Sequence, residues 1–145
     1  MSIRRLRWWD IEDLIPLERD LFGAEEWSAT MFWNELANGH YYIVDRDETG
    51  VVGYAGMAVA EEAWVNNIAV RRDRQRQGVG RALLTDLLGY AADHQVRRIL
   101  LEVAADNAPA QRLYARYGFD VVGVRHGYYQ ISKKDALVMS LDLAE

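Results

Sequence analysis

Three features of this chain have residue types and spacing that could do chemistry. They are the loop Gln75-Arg76-Gln77-Gly78-Val79-Gly80-Arg81, the carboxylate of Glu102 and the phenol of Tyr114. The loop stands where a long amphipathic pattern opens. A helix start leaves its first backbone N–H groups unpaired, and the macrodipole adds roughly half a positive charge there. Such a terminus is a ready seat for a phosphate or pyrophosphate. An ordinary glycine-softened helix start would read the same way, so the loop alone does not choose. A Walker loop is excluded, because no Lys-Ser or Lys-Thr follows the glycines. A dinucleotide fingerprint fits poorly, since it wants three glycines at the first strand–helix turn and here two lie mid-chain.

Glu102 follows the apolar run Ile99-Leu100-Leu101. A charged residue in that place either serves a site or turns to solvent at a strand end. Tyr114 shares a helix face with Leu113, which is the pattern of a core residue, and Asn107 before it can cap the same helix. His40, His94 and His126 are scattered without carboxylate or Cys companions at ligand spacing, so no metal site is expected. No Gly-x-Ser-x-Gly is present, which argues against a covalent hydrolase. The chain has no Cys, so disulfides, thiolate zinc sites and cysteine nucleophiles all fall away.

The elements that must position these residues follow from periodicity. Residues 3–8 alternate loosely as a first strand. Asp10 is placed to cap a helix carrying Ile11, Leu14, Ile15, Glu18, Leu21 and Phe22, with a kink or break expected at Pro16 and a stop at Gly23. Ser28 reads as the cap of a second short helix with Met31, Phe32 and Leu36, closed by Gly39. Residues 41–45 and 51–60 read as strands around the hairpin turn 46–50, and 64–70 as a third. A helix over 78–94 puts Val79, Ala82, Leu83, Leu87, Leu88 and Ala91 on one face. A strand at 97–103, a helix at 107–117 stopped by Gly118, and strands at 119–124 and 136–143 complete the chain. That order predicts a mixed α/β sheet with helices on both faces, not a regular strand–helix alternation.

At 145 residues the chain is one domain's worth, able to bury about 68–70% of its unfolded surface. Half the residues are apolar, with five Trp, eight Tyr and three Phe, which argues against disorder. A net charge of −5 gives no reason to expect a nucleic-acid partner. No apolar run is long enough to span a membrane, and the three arginines near the start precede no signal-peptide core. The expectation is a cytoplasmic protein.

Asn67-Ile68-Ala69-Val70, the loop 75–81 running on into Ala82-Leu83-Leu84, Leu101-Glu102-Val103, Asn107, and Leu113-Tyr114 with Tyr117-Gly118-Phe119 occur in that order. In these motifs the chain resembles the GNAT acetyltransferase superfamily, and within it the RimI-type ribosomal-protein-alanine N-acetyltransferases. The resemblance runs from the first strand to Leu143. It implies a mixed, mostly antiparallel sheet with splayed parallel central strands, in a single acetyltransferase domain over 1–145. It also implies acetyl-coenzyme A as co-substrate, with its pyrophosphate at Gln75, Arg76, Gln77, Gly78, Val79, Gly80 and Arg81. The pantetheine arm would lie along the backbone of Ile68, Ala69 and Val70, with a further contact at Asn107. Glu102 becomes the proton acceptor and Tyr114 the proton donor to sulfur, in direct attack within a ternary complex. Trp27 in Glu26-Trp27-Ser28, and Tyr128 and Tyr129 in Arg125-His126-Gly127-Tyr128-Tyr129, match segments that cover a bound peptide. Glu26 stands where that family usually has proline.

The amine must be neutral to attack. An α-amino group has a pKa of about 7.7–8.0 against about 10.4 for lysine, so near neutrality roughly a tenth of the former is ready and only about 0.04% of the latter. Deprotonating lysine costs about 3.5 kcal/mol more. A single carboxylate base thus suits a protein N-terminus, and the resemblance implies that of a ribosomal protein beginning with alanine. The alternatives are a lysine side chain, a small-molecule amine, or a non-catalytic acyl-coenzyme A-binding module.

Overall fold

The strands, in chain order, are β1 (Ile3–Arg5), β2 (Tyr41–Asp47), β3 (Gly50–Val59), β4 (Glu62–Val70), β5 (Arg98–Ala104), β6 (Asp120–Arg125) and β7 (Ala136–Asp142). The helices are α1 (Ile11–Phe22), α2 (Ala29–Ala37), α3 (Val79–Asp93) and α4 (Ala108–Arg116). They come from a computed structural model that describes residues 2–129 and 131–143. The strands form one sheet in the order β1-β2-β3-β4-β5-β7-β6, and only the β4–β5 pair is parallel.

Alternation along β2 sorts the layers. Tyr42 and Val44 face a cluster with Leu14 of α1 and Phe32 of α2, whereas Ile43 faces Leu83 and Leu87 of α3 on the other side. α4 packs on the α3 side through Leu113 and Tyr114. The helices therefore cover both faces, as expected. On α3 the buried stripe is Val79, Leu83, Leu84, Leu87 and Ala91; Leu84 joins the expected face, Leu88 packs against its margin and Ala82 is half-buried.

Three local expectations are corrected. The first strand ends at Arg5, and Trp8–Asp10 forms a short 3-10 turn. Asp10 does not cap α1 with its side chain. Its carboxylate instead accepts the Arg7 N–H at 2.8 Å and pairs with Arg4 and Arg46 at 2.8 and 3.0 Å. No break occurs at Pro16, and α1 is continuous through it. The N–H that proline lacks would have reached the carbonyl of Glu12, an exposed residue whose carbonyl can turn to water. Ser28 does cap α2, accepting the Met31 N–H at 3.3 Å.

The feature that matters for function is where β4 and β5 separate. Their ladder runs from Glu62↔Arg98 to Val65↔Leu101 and stops, although both strands continue. At the same level the β3–β4 register jumps from Met57↔Val65 to Gly56↔Asn67, leaving Asn66 as an extra residue on β4. Such a bulge bends its strand and adds twist. β5 meanwhile stays tied to β7 as far as Ala104↔Ala136. One strand turns away while its neighbour is held, and a cleft opens between them.

Candidate active site

The bulge is pinned from outside the sheet. Glu35 of α2 accepts hydrogen bonds from the Asn66 amide and from the Tyr42 hydroxyl, both at 2.8 Å, and lies 3.0 Å from the His40 ring. Tyr42 also touches Asn67. Burial works against the Glu35 charge, but the adjacent His40 ring and the hydrogen bonds from Asn66 and Tyr42 prevail and hold its carboxyl below the ordinary value.

The cleft, of about 580 Å³, is lined on one side by Asn66, Asn67 and Ile68 of β4 and on the other by Glu102 of β5, with Asn107 and Tyr114 from α4 and its cap. Trp27 and Tyr129 reach it from the two loops above. A wider groove of about 1370 Å³ lies at the opposite end of β4 and β5. Its charged groups satisfy one another, Arg98 with Asp142 at 3.1 Å and with Glu62 at 3.6 Å, so nothing there is poised for chemistry.

Glu102 is 17% exposed and lies 2.5 Å from the Arg125 Nε. Tyr114 is 5% exposed, and its phenol is pushed upward by burial and then by the neighbouring Tyr129. It therefore stays protonated across the physiological range and keeps a proton to donate. Tyr128 stands just outside, stacked edge-on against Tyr129 with ring centroids 5.0 Å apart. Burial first, and then the nearby Glu102 carboxylate, push its phenol up to about 12. Asn107 is a helix cap, accepting the Ala110 N–H at 3.2 Å, and lines the cleft as well. The capping reading holds, and the residue also borders the cleft.

The glycine loop lies past the end of β4 and does not line the cleft itself. Arg76 and Gly78 both have left-handed backbones, at φ 65° and 88°, and no side chain caps α3. A β-carbon on Gly78 would meet nothing within 4 Å. Alternating left-handed residues ahead of an uncapped helix aim several amides at open space, an arrangement suited to a diphosphate. The side chains of Gln75 and Gln77 are spent on the loop, donating to the carbonyls of Val70 and Asp73 at 3.0 and 3.2 Å. Val79 is buried core, and Ala69 faces the α1–α2 cluster, so these two offer only backbone. Among the described residues Arg76 and Arg81 form no ion pair, in contrast to Arg71, Arg72 and Arg74 beside them.

The sequence pointed to none of the cleft's supporting carboxylates. Glu18 of α1 is 1% exposed, accepts the Trp27 N–H at 2.8 Å, and lines the cleft. Its signal was a charged residue on the apolar stripe of α1. Glu25 accepts the Ser132 N–H at 2.8 Å, joining the α1–α2 loop to the β6–β7 loop over the cleft. No local pattern announces that contact.

A family model for the acetyltransferase (GNAT) family matches residues 3–119. The chain belongs to the GNAT family. It is an N-acetyltransferase by that membership, and the GNAT family uses acetyl-coenzyme A as co-substrate. The chain is 38% identical over 140 residues to the N-alpha-acetyltransferase RimI of Mycobacterium tuberculosis, covering 92% of this chain and 87% of that one. It is 40% identical over 124 residues to the ribosomal protein bS18-alanine N-acetyltransferase of Salmonella typhimurium, covering 83% and 84%. The crystal structure of the ribosomal-protein-S18-alanine N-acetyltransferase from Escherichia coli superposes with a TM-score of 0.88 at 31% identity, covering 99% of this chain and 94% of that one. The RimI-type resemblance is thereby supported over the full GNAT domain. Among the described residues no helix is long and apolar enough to cross a membrane.

Proposed function

We propose that this GNAT enzyme acetylates the α-amine of a protein that begins with alanine, with ribosomal protein bS18 as its substrate, as the names of its relatives state for them. The observation that carries the reading is that Glu102 and Tyr114 line one cleft, opened by the parting of β4 and β5.

Acetyl-coenzyme A, when bound, supplies the thioester. The amides of the loop 75–81 hold its diphosphate, aided by Arg76 and Arg81, and the free edge of β4 at Ile68, Ala69 and Val70 receives the pantetheine arm. Asn107 stands beside that arm. Glu102 accepts the proton of the incoming ammonium, directly or through a water. The neutral amine then attacks the thioester carbon, Tyr114 donates its proton to the departing sulfur as the C–S bond breaks, and the surplus proton shed by the new amide nitrogen restores the phenol through water. Burial that raises the tyrosine raises the thiol as well, so the transfer is not as uphill as the phenol alone would make it. General acid–base assistance of this kind contributes about 10²–10⁴-fold. No covalent acyl-enzyme is needed, in keeping with the absence of Cys. Trp27, Tyr128 and Tyr129 close over the first residues of the peptide.

Mass spectrometry of N-terminal peptides from cells with and without this protein tests the reading. Loss of acetylation at the alanine of bS18 supports it. Unaltered N-termini, with altered lysines or a free amine, would replace it with another GNAT activity.

A further inference from the structure

Arg125 ends β6 with Nε 2.5 Å from the Glu102 Oε2. The contact is one of charge: Oε2 is buried and has no aligned hydrogen bond among the described residues. The Arg125 side chain is 53% exposed, so it can leave this position without disturbing the core. A second seat lies beside it, because its guanidinium carbon is 5.7 Å from the centroid of the Tyr128 ring.

Glu102 has reason to keep a cation. Leu101, Val103, Tyr114 and Tyr129 line the same cleft, and a carboxylate among such groups is costly to hold charged without a partner. The other charged groups of the cleft do not serve. Glu18, Glu25 and Asp106 are acidic, and Lys134 is taken by Asp106 at 3.0 Å. Arg125 is therefore the cation available to Glu102 while the cleft is empty. An entering α-ammonium carries the same charge and must reach the same oxygen to lose its proton.

We propose that Arg125 is a resident substitute for the substrate's ammonium. It occupies Glu102 in the empty enzyme, yields it to the N-terminus on peptide binding, and returns once acetylation has removed the competing charge. This rests on the N-terminal acetylation reading above and adds the exchange to it. The carboxylate is thus neutralised both before and after the peptide arrives. The product, an uncharged amide, neither needs Glu102 nor displaces Arg125, so the exchange weakens binding of the free peptide alone.

Calorimetry in the presence of saturating coenzyme A tests this, using a short peptide with a free N-terminal alanine and its N-acetylated counterpart. Arg125→Gln removes the competitor, so it binds the free peptide several-fold tighter than wild type and the acetylated peptide equally well. Arg125→Lys restores the wild-type pattern. Damage to the cleft would instead weaken both peptides. Unchanged or weaker binding of the free peptide by Arg125→Gln overturns the exchange, as does equal tightening of both peptides. A wild-type enzyme that acetylates no protein N-terminus would remove the functional reading itself, and the exchange with it.

Discussion

The carboxylate of Glu18, inside the protein, accepts the hydroxyl of Tyr54 at 2.5 Å while its other oxygen takes the backbone N–H of Trp27. The pair ties α1 to β3 and fixes the loop that carries Trp27 beside the cleft. Burial is the larger influence on Glu18 and lifts its pKa above the ordinary value despite both hydrogen bonds. A raised carboxyl binds its proton more firmly in the folded chain than in the unfolded one. Its contribution to stability is therefore complete at low pH and is lost as pH rises from the ordinary glutamate value through the raised one. Glu18→Gln cannot titrate. The difference in Tm, variant minus wild type, should climb as pH is taken from 4 to 8. Asp10 and Glu35, both lowered, act with the opposite sign but cancel in that difference. Thermal unfolding curves whose midpoints run parallel across this range would contradict the assignment.

Tyr114→Phe removes only a hydroxyl from a well-packed ring. If the phenol donates to sulfur, kcat falls about 10²–10⁴-fold while the affinity for acetyl-coenzyme A stays near wild type. Steady-state kinetics together with cofactor calorimetry separate the two. An unchanged kcat takes Tyr114 out of the reaction and returns it to the core, where it leans against Phe119 at 5.9 Å.

Glu102→Gln should depress kcat/KM at every pH and most severely on the acid side, where the amine arrives charged and needs a base. The variant's profile should recover toward wild type as pH passes the α-amine value, about 7.7–8.0. Profiles that differ by one constant factor throughout would assign the deprotonation elsewhere.

The two glycines of the loop are not equivalent. Gly78 has a left-handed backbone, and a valine there is strained by about 1–2 kcal/mol and places methyls where a diphosphate would sit. Gly80 is helical, and a β-carbon would meet Val70 and Leu113 at 3.5 and 3.7 Å, ordinary contact distances. Gly78→Val should lose coenzyme A affinity by more than tenfold. Gly80→Ala should keep most of it and gain about 0.4–1 kcal/mol of stability. Calorimetry and denaturant melts on both variants check the contrast, and equal losses of affinity would refute it.

How much of this was written in the sequence depends on the range of the interaction. The helices were legible because each turns on local periodicity, as Leu83 and Leu87 do on α3, whereas β2, apolar on both faces at Tyr42, Ile43 and Val44, was legible as a strand but not by alternation. Asp10 misled because its partners, Arg4 and Arg46, come from two strands and outcompete the local cap. Pro16 misled because a missing hydrogen bond matters little where the abandoned carbonyl meets water. The cleft was foreseen only through family resemblance. Its physical cause, one extra residue at Asn66 held by Glu35, depends on a register no single strand reveals. Glu25 and Ser132, and Glu102 and Arg125, are likewise long-range contacts without a local signature.

The short ladder between β4 and β5 also sets how stiff the molecule is. Four residue pairs, Glu62↔Arg98 through Val65↔Leu101, form the ladder between β1–β4 and β5–β7. The β2–β3, β3–β4, β5–β7 and β6–β7 ladders beside it are all longer, so this seam is a short join between better-stitched neighbours. A thioester arm laid along the open edges, as proposed above, would act as a clasp across it. Straightening the Asn66 bulge would lengthen the seam and rigidify the protein at the expense of the gap in which it works.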